Sequence, residues 1–240
     1  MRFYRPFTSV EAMTFDLDDT LYNNEPIIQQ AEATLSEYIK ARYPKTGAMT
    51  PAQWRDLKRA LIKKNIGLAS DMGELRMHSL RHALRRDIAD DQEREAAATA
   101  CFNCFYTARS NFSLHTDVHE VLSQLAKRIP LIAITNGNVD PKRTGMTTYF
   151  HTFLHASLTY RAKPAADMFN KAASLLALPP QRILHVGDNM EKDVMGAIDA
   201  GFQTAWLAVN RRMDIRRERV TVLPHVSLQS LRDLLHLIPN

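Results

Sequence analysis

Five short apolar runs, at residues 10–15, 131–134, 153–157, 183–186 and 202–209, set the tightest constraint on this chain. Helical patterns lie between the later ones. Val118, Val121, Leu122 and Leu125 share one face behind a cap at Asp117, and residues 166–176 and 191–200 read as further helices, the last closed by Gly201. Leu228, Leu231, Leu234 and Leu235 mark a terminal helix. Apolar runs alternating with amphipathic helices predict a parallel sheet covered on both faces, a doubly wound α/β fold. Such sheets bind ligands beyond the carboxyl ends of their strands. Three of the runs end there in polar residues: Asp16-Leu17-Asp18-Asp19, Thr135-Asn136-Gly137 and Gly187-Asp188-Asn189.

The first of these ends carries the most chemistry. A chain leaving a strand can curl so that Asp16 and Asp18 face one cavity. Two carboxylates that close repel, so a cation or a shared proton must lie between them. Mg²⁺, which prefers hard oxygen ligands and uses few protein carboxylates, fits that need. The plainer alternative is an acidic turn in which Asp19 or Thr20 caps a helix.

Residues 22–113 read differently, as an all-helical insert with short connections. Pro26 stands in a first turn, followed by Ile27, Ala31, Leu35 and Ile39; Pro44 and Gly47 break that helix. Thr50-Pro51 opens a second helix, and an alanine-rich helix runs over 91–109. Cys101 and Cys104 lie on the latter at helical spacing and read as small buried thiols, since zinc needs two more ligands.

The net charge of +5 allows either nucleic acid or a small anionic substrate. The basic residues cluster over 55–86 and 211–219, with Arg211-Arg212 and Arg216-Arg217 the densest, and neither cluster is interleaved with aromatics as a stacking platform is. No nucleic-acid partner is expected. No apolar run is long enough to span a bilayer, and the first six residues lack the core of a signal peptide, so a cytoplasmic protein is expected.

Taken in order, Asp16-Leu17-Asp18-Asp19-Thr20, Thr135-Asn136-Gly137, Lys163-Pro164 and Gly187-Asp188 with Asp193 resemble the four motifs of the haloacid dehalogenase-like phosphohydrolases. The likeness covers the whole chain. It implies a Rossmann-like catalytic core from residues 1–21 and 114–240, with 22–113 as that family's C1 cap. It implies Asp16 as nucleophile, forming an aspartyl-phosphate, and Asp18 as the acid and base that serves the leaving oxygen and then water. Asp16, Asp188 and the backbone carbonyl of Asp18 would hold Mg²⁺, with Asp193 a further ligand or a support behind it. Thr135, Asn136, Gly137 and Lys163 would bind phosphate, with Gly137 permitting close approach. Asn189 departs from a pattern that often places a second acid after Asp188.

Asp18 also bears on the reaction. A leaving halide needs no proton and an alkoxide does, so an acid two residues after the nucleophile favours phosphate esters. Phosphomutases share that acid and remain an alternative, as do phosphatases of phosphoglycolate, sugar phosphates or nucleotides. A phospho-ligand binding protein on the same scaffold is the non-enzymatic alternative. The segments 133–138 and 183–188 resemble the bacterial YigB-type phosphatases of flavin biosynthesis, which implies 5-amino-6-(5-phospho-D-ribitylamino)uracil or FMN as substrate. From the cap, Arg76 and His78 are candidates to touch the substrate, and Tyr22 and Asn23 stand where a hinge would be. Oligomeric state is left open.

Overall fold

The computed structural model describes residues 1–218 and 222–238, so Arg219 of the second basic cluster lies outside the described residues. Among the described residues seven strands form one sheet: β1 (Arg2–Phe3), β2 (Ala12–Phe15), β3 (Leu131–Thr135), β4 (Thr152–His155), β5 (Ile183–Gly187), β6 (Gln203–Trp206) and β7 (Val226–Ser227). Their order is β1-β7-β6-β5-β2-β3-β4. All pairings are parallel except β1 with β7. The chain builds outward from β2 in both directions, so β2 is the point where strand order reverses, the place such sheets bind ligands.

Side chains alternate faces along the strands, and each face has its own core. Met13, Phe15, Leu131 and Ala133 pack with Val121, Leu122 and Leu125 of helix α6 (Thr116–Ala126) and with Leu234. Ala12, Ile132 and Ile134 pack on the opposite side with Met168, Phe169 and Ala172 of α7 (Asp167–Leu176) and with Ala197 of α8 (Gly196–Asp199). The expectation of a sheet covered on both faces is met.

Between β2 and β3 lie α1 (Asn24–Arg42), the single turn α2 (Pro44–Gly47), α3 (Pro51–Lys64), α4 (Met72–Ala83) and α5 (Asp91–Arg109). Ala31, Leu35, Ile39, Leu80, Leu84, Ala98, Cys101 and Phe105 form a core of their own there. Thr50 makes the reciprocal capping box with Gln53 behind Pro51. Pro44 opens the turn α2 directly after the Tyr43 cap of α1, and Gly47 closes it.

Three local readings are corrected. His115, not Asp117, is the N-cap of α6: its ring accepts from the Asp117 amide. The expected helix over 191–200 begins as a widened π-helical turn, Met190–Met195, before α8. Single π turns concentrate at functional sites, and this one buries Asp193 and Val194. The terminal leucines form a 3₁₀ segment, Leu231–His236, while Leu228 follows β7.

Candidate active site

The centre of the sheet brings the three polar strand ends together. Met13 to Phe15 of β2 pair with 131–133 of β3 on one side and 184–186 of β5 on the other. Asp16, Thr135 and Asp188 thus leave three adjacent strands at one edge, and Asp16 donates its amide to the Val186 carbonyl at 2.9 Å. The chain then turns sharply. Asp19 adopts a left-handed φ of 61°, a conformation aspartate tolerates. Its carboxylate accepts from the Asn24 amide at 2.9 Å, fixing the start of α1. Asp19 steadies the start of α1, although its cap is Asn23 rather than Asp19 or Thr20, and the turn carries Asp16 and Asp18 into a shared cavity.

Lys163 is buried between two of the acids. Its Nζ donates to Asp16 Oδ1 at 2.7 Å and to the Ile134 carbonyl at 2.7 Å, and lies 2.6 Å from Asp193 Oδ1. Burial works against its charge, but Asp16 and Asp193 outweigh that and raise its pKa. Burial also opposes ionisation of Asp193, yet the lysine charge and His185 hold its carboxyl well below the usual range. His185 is kept neutral by burial, so its Nε2 donates to Asp193 at 3.2 Å and its Nδ1 accepts from the Thr14 hydroxyl at 2.8 Å. The Asn189 amide donates to the other Asp193 oxygen at 2.9 Å. Both oxygens of Asp193 are therefore engaged by protein, which sets it behind Lys163.

The second strand end is tied to the same lysine. The Asn136 side chain accepts from the Lys163 amide at 2.8 Å and donates to its carbonyl at 3.0 Å, clamping the Lys163 backbone. Thr135 Oγ1 accepts from the Gly137 amide at 2.9 Å. A Cβ on Gly137 would stand 2.5 Å from Asp18 Oδ2, so this glycine lets the strand end lie against Asp18.

At the third end, Arg211 donates to Asp188 Oδ2 at 2.6 Å and to its carbonyl at 2.8 Å, and Trp206 Nε1 donates to the same carbonyl at 2.7 Å. Arg211 belongs to the basic cluster over 211–219, and nothing local to it signals this contact. Burial still prevails over that arginine and pushes the Asp188 carboxyl up to about 6. Burial raises Asp16 as well, Lys163 notwithstanding.

Asp16, Asp188 and Asp193 each offer an oxygen, all within 4.8 Å of one another. Asp16 and Asp188, buried hard-oxygen donors reluctant to ionise where they stand, fit a divalent cation, with Asp193 held behind them by Lys163, His185 and the Asn189 amide. The Asp18 side chain is not part of this group. Its Oδ1 accepts from Tyr22 Oη at 2.6 Å and from Arg109 Nη2.

These residues surround a cavity of about 680 Å³. Asp16, Asp18, Thr135, Asn136, Gly137, Lys163, Asp188 and Asp193 line one part of it; Asn24, Ile28, Met72, Arg76, Phe105 and Arg109 line the part against the helical insert. Arg76 reaches the cavity, lies 3.4 Å over the Phe105 ring and pairs with Glu32 at 2.7 Å. His78 pairs loosely with Glu74 on an exposed face and does not line it. Neither does Asn23, whose side chain caps α1 by accepting from the Glu25 amide. Tyr22 touches the site through Asp18. Arg109, the last residue of α5, carried no sequence signal.

The model of the haloacid dehalogenase-like hydrolases matches residues 10–201. The chain is 35% identical to the Escherichia coli 5-amino-6-(5-phospho-D-ribitylamino)uracil phosphatase YigB, over 99% of this chain and all of the relative. It is 26% identical to the Methanopyrus kandleri glyceraldehyde 3-phosphate phosphatase, over 95% of this chain and 97% of that one. The solved 2-haloacid dehalogenase of Pseudomonas syringae superposes with a TM-score of 0.88 at 29% identity, covering 95% of this chain and 97% of that one. On its motifs, its fold and a match spanning most of its length, this chain belongs to the haloacid dehalogenase-like hydrolase family.

Proposed function

We propose that this enzyme is a Mg²⁺-dependent phosphatase that hydrolyses 5-amino-6-(5-phospho-D-ribitylamino)uracil, with FMN as a second candidate, in the cytoplasm. The observation that carries the reaction type is the gathering of Asp16, Asp18, Thr135 and Lys163 around one cavity that also reaches the helical insert. The full-length relative narrows the substrate. The division into a core of 1–21 and 114–240 and a cap of 22–113 belongs to the same proposal.

Each residue has a role its surroundings permit. The Asp16 carboxylate attacks phosphorus while the bond to the ester oxygen breaks, and Asp18 delivers a proton to that oxygen. Water then attacks the aspartyl-phosphate and passes a proton to Asp18, which releases phosphate and restores Asp16. Tyr22 and Arg109 occupy Asp18 Oδ1, so Oδ2, beside Gly137, carries the proton. Lys163, the Thr135 hydroxyl and the Asn136 amide hold the phosphoryl oxygens, Gly137 donates its own amide to that hydroxyl, and Asp193 keeps Lys163 in place. Asp16, Asp188 and the Asp18 carbonyl would hold Mg²⁺, which neutralises charge on the phosphoryl group. The same Asp18 separates this reading from dehalogenation, whose halide takes no proton.

Phosphate release would be measured across FMN, the ribitylamino-uracil phosphate, sugar phosphates, phosphoglycolate and nucleotides. Release that requires Mg²⁺, is lost in Asp16→Asn and is greatest for the ribitylamino-uracil ester is expected. Folded wild-type protein that releases phosphate from none of them refutes the enzyme reading.

A further inference from the structure

Among the described residues, two buried side-chain polar atoms have no hydrogen-bond partner: Asn24 Oδ1 and Arg109 Nη1. Both residues line the catalytic cavity. They are the first residue of α1 and the last of α5, where the helical insert meets the sheet.

Asn24 is half-buried, and its backbone amide is fixed by Asp19. Arg109 is 2% exposed and fixed through Nη2 by Asp18, with its guanidinium 5.9 Å from the Tyr22 ring centre. Buried polar groups in folded proteins nearly always find a partner, so two orphans in one cavity call for an account.

The two atoms are complementary in what they lack. Arg109 Nη1 only donates, and Asn24 Oδ1 only accepts. A second anionic group on the ligand would satisfy the arginine alone. It would also face Asp18 and the Asn24 oxygen, both of which disfavour it. A hydroxyl group both donates and accepts, so a chain of hydroxyls satisfies both atoms. The location is informative too. Arg109 grips Asp18, the group that would serve the leaving oxygen, and so belongs to the leaving-group side of the cavity.

The geometry points to Asn24 and Arg109 as a leaving-group subsite that reads hydroxyls on the carbon chain beside the phosphate ester. The substrate class is a polyol phosphate. This rests on the phosphatase reading and adds to it a basis for selectivity that lies at the ester's own chain. An ester lacking those hydroxyls leaves both atoms buried and unpaired, which is how sites built for hydrogen bonding reject close analogues.

D-Ribitol 5-phosphate and n-pentyl phosphate make the comparison, because each is a primary five-carbon ester with an alkoxide leaving group. We would determine kcat/KM for both with wild type, Asn24→Leu, Asn24→Ala and Arg109→Met in Mg²⁺, with circular dichroism to verify folding. Wild type is expected to prefer the polyol ester by at least roughly tenfold. Both Asn24 variants shrink that ratio through KM for the polyol ester, and Arg109→Met shrinks it while also lowering kcat. A wild-type ratio near one, or a folded Asn24 variant with the ratio intact, overturns the subsite while leaving the phosphatase standing. Hydrolysis of neither ester, nor of any other in the panel, overturns both.

Discussion

Replacing Lys163 with methionine tests the electrostatic centre of the site. The ammonium is buried and makes three short contacts, to Asp16, Asp193 and the Ile134 carbonyl, at 2.6–2.7 Å. At an effective dielectric of about 20, each carboxylate contact has a raw attraction of roughly 6 kcal/mol. Methionine relieves the desolvation of the lysine but strands two buried carboxylates, and removing one partner of a buried pair typically costs about 3–5 kcal/mol. A protein of this size then loses roughly 6–20 °C in Tm. The pH dependence has a definite sign. Without the lysine both carboxyls rise in pKa and take up protons as the pH falls, and a neutral acid has no need of the ammonium. The gap between wild type and variant is therefore widest near neutral pH and narrows on acidification. Calorimetry in EDTA at about pH 7.5 and about pH 5 measures it. A loss below about 1 kcal/mol at neutral pH, or a gap that widens in acid, refutes the account of Lys163 as the charge that holds Asp16 and Asp193 together.

Two further outcomes follow from the same geometry. Gly137→Ala places a methyl group 2.5 Å from Asp18 Oδ2 and must displace that carboxylate, so kcat should fall about a hundredfold while Tm moves little; unchanged turnover contradicts the proton-carrying role of that oxygen. Burial raises the Asp188 carboxyl to about 6 without metal, so the native state binds more protons than the unfolded chain between its ordinary value and 6, and metal-free stability falls as pH rises through that window. Mg²⁺ competes with that proton, so its gain in Tm should be larger at about pH 7.5 than at about pH 5, and equal gains contradict the assignment of Asp188 as a ligand.

The residues easiest to find in the sequence were those at strand ends. Asp16, Thr135 and Asp188 each follow an apolar run, so those runs and the rule for parallel sheets sufficed to bring them to one edge. Lys163 and Asp193 needed the family resemblance, because a lysine before proline or an acid early in a helix has ordinary uses. Asn136 illustrates a finer limit. Its place in the motif was plain, but its side chain clamps the Lys163 backbone, a pairing across 27 positions that no local pattern encodes. The π-helical turn at Met190–Met195 escaped notice because a helix widened by one residue keeps nearly the same apolar spacing.

The sequence by itself determined the alternation of strands and helices, the helical insert and the acids that leave the sheet, since each is written in neighbouring residues through periodicity, caps and turn chemistry. Only the tertiary structure decided which cations meet those acids. Arg109 arrives from 91 positions away to hold Asp18, and Arg211 from 23 to hold Asp188, each from a stretch that reads as plain helix or basic surface. The physical reason is that a charge acts through space while local patterning acts along the chain. A long arginine side chain finds its partner only after folding has brought the two together and removed the water between them.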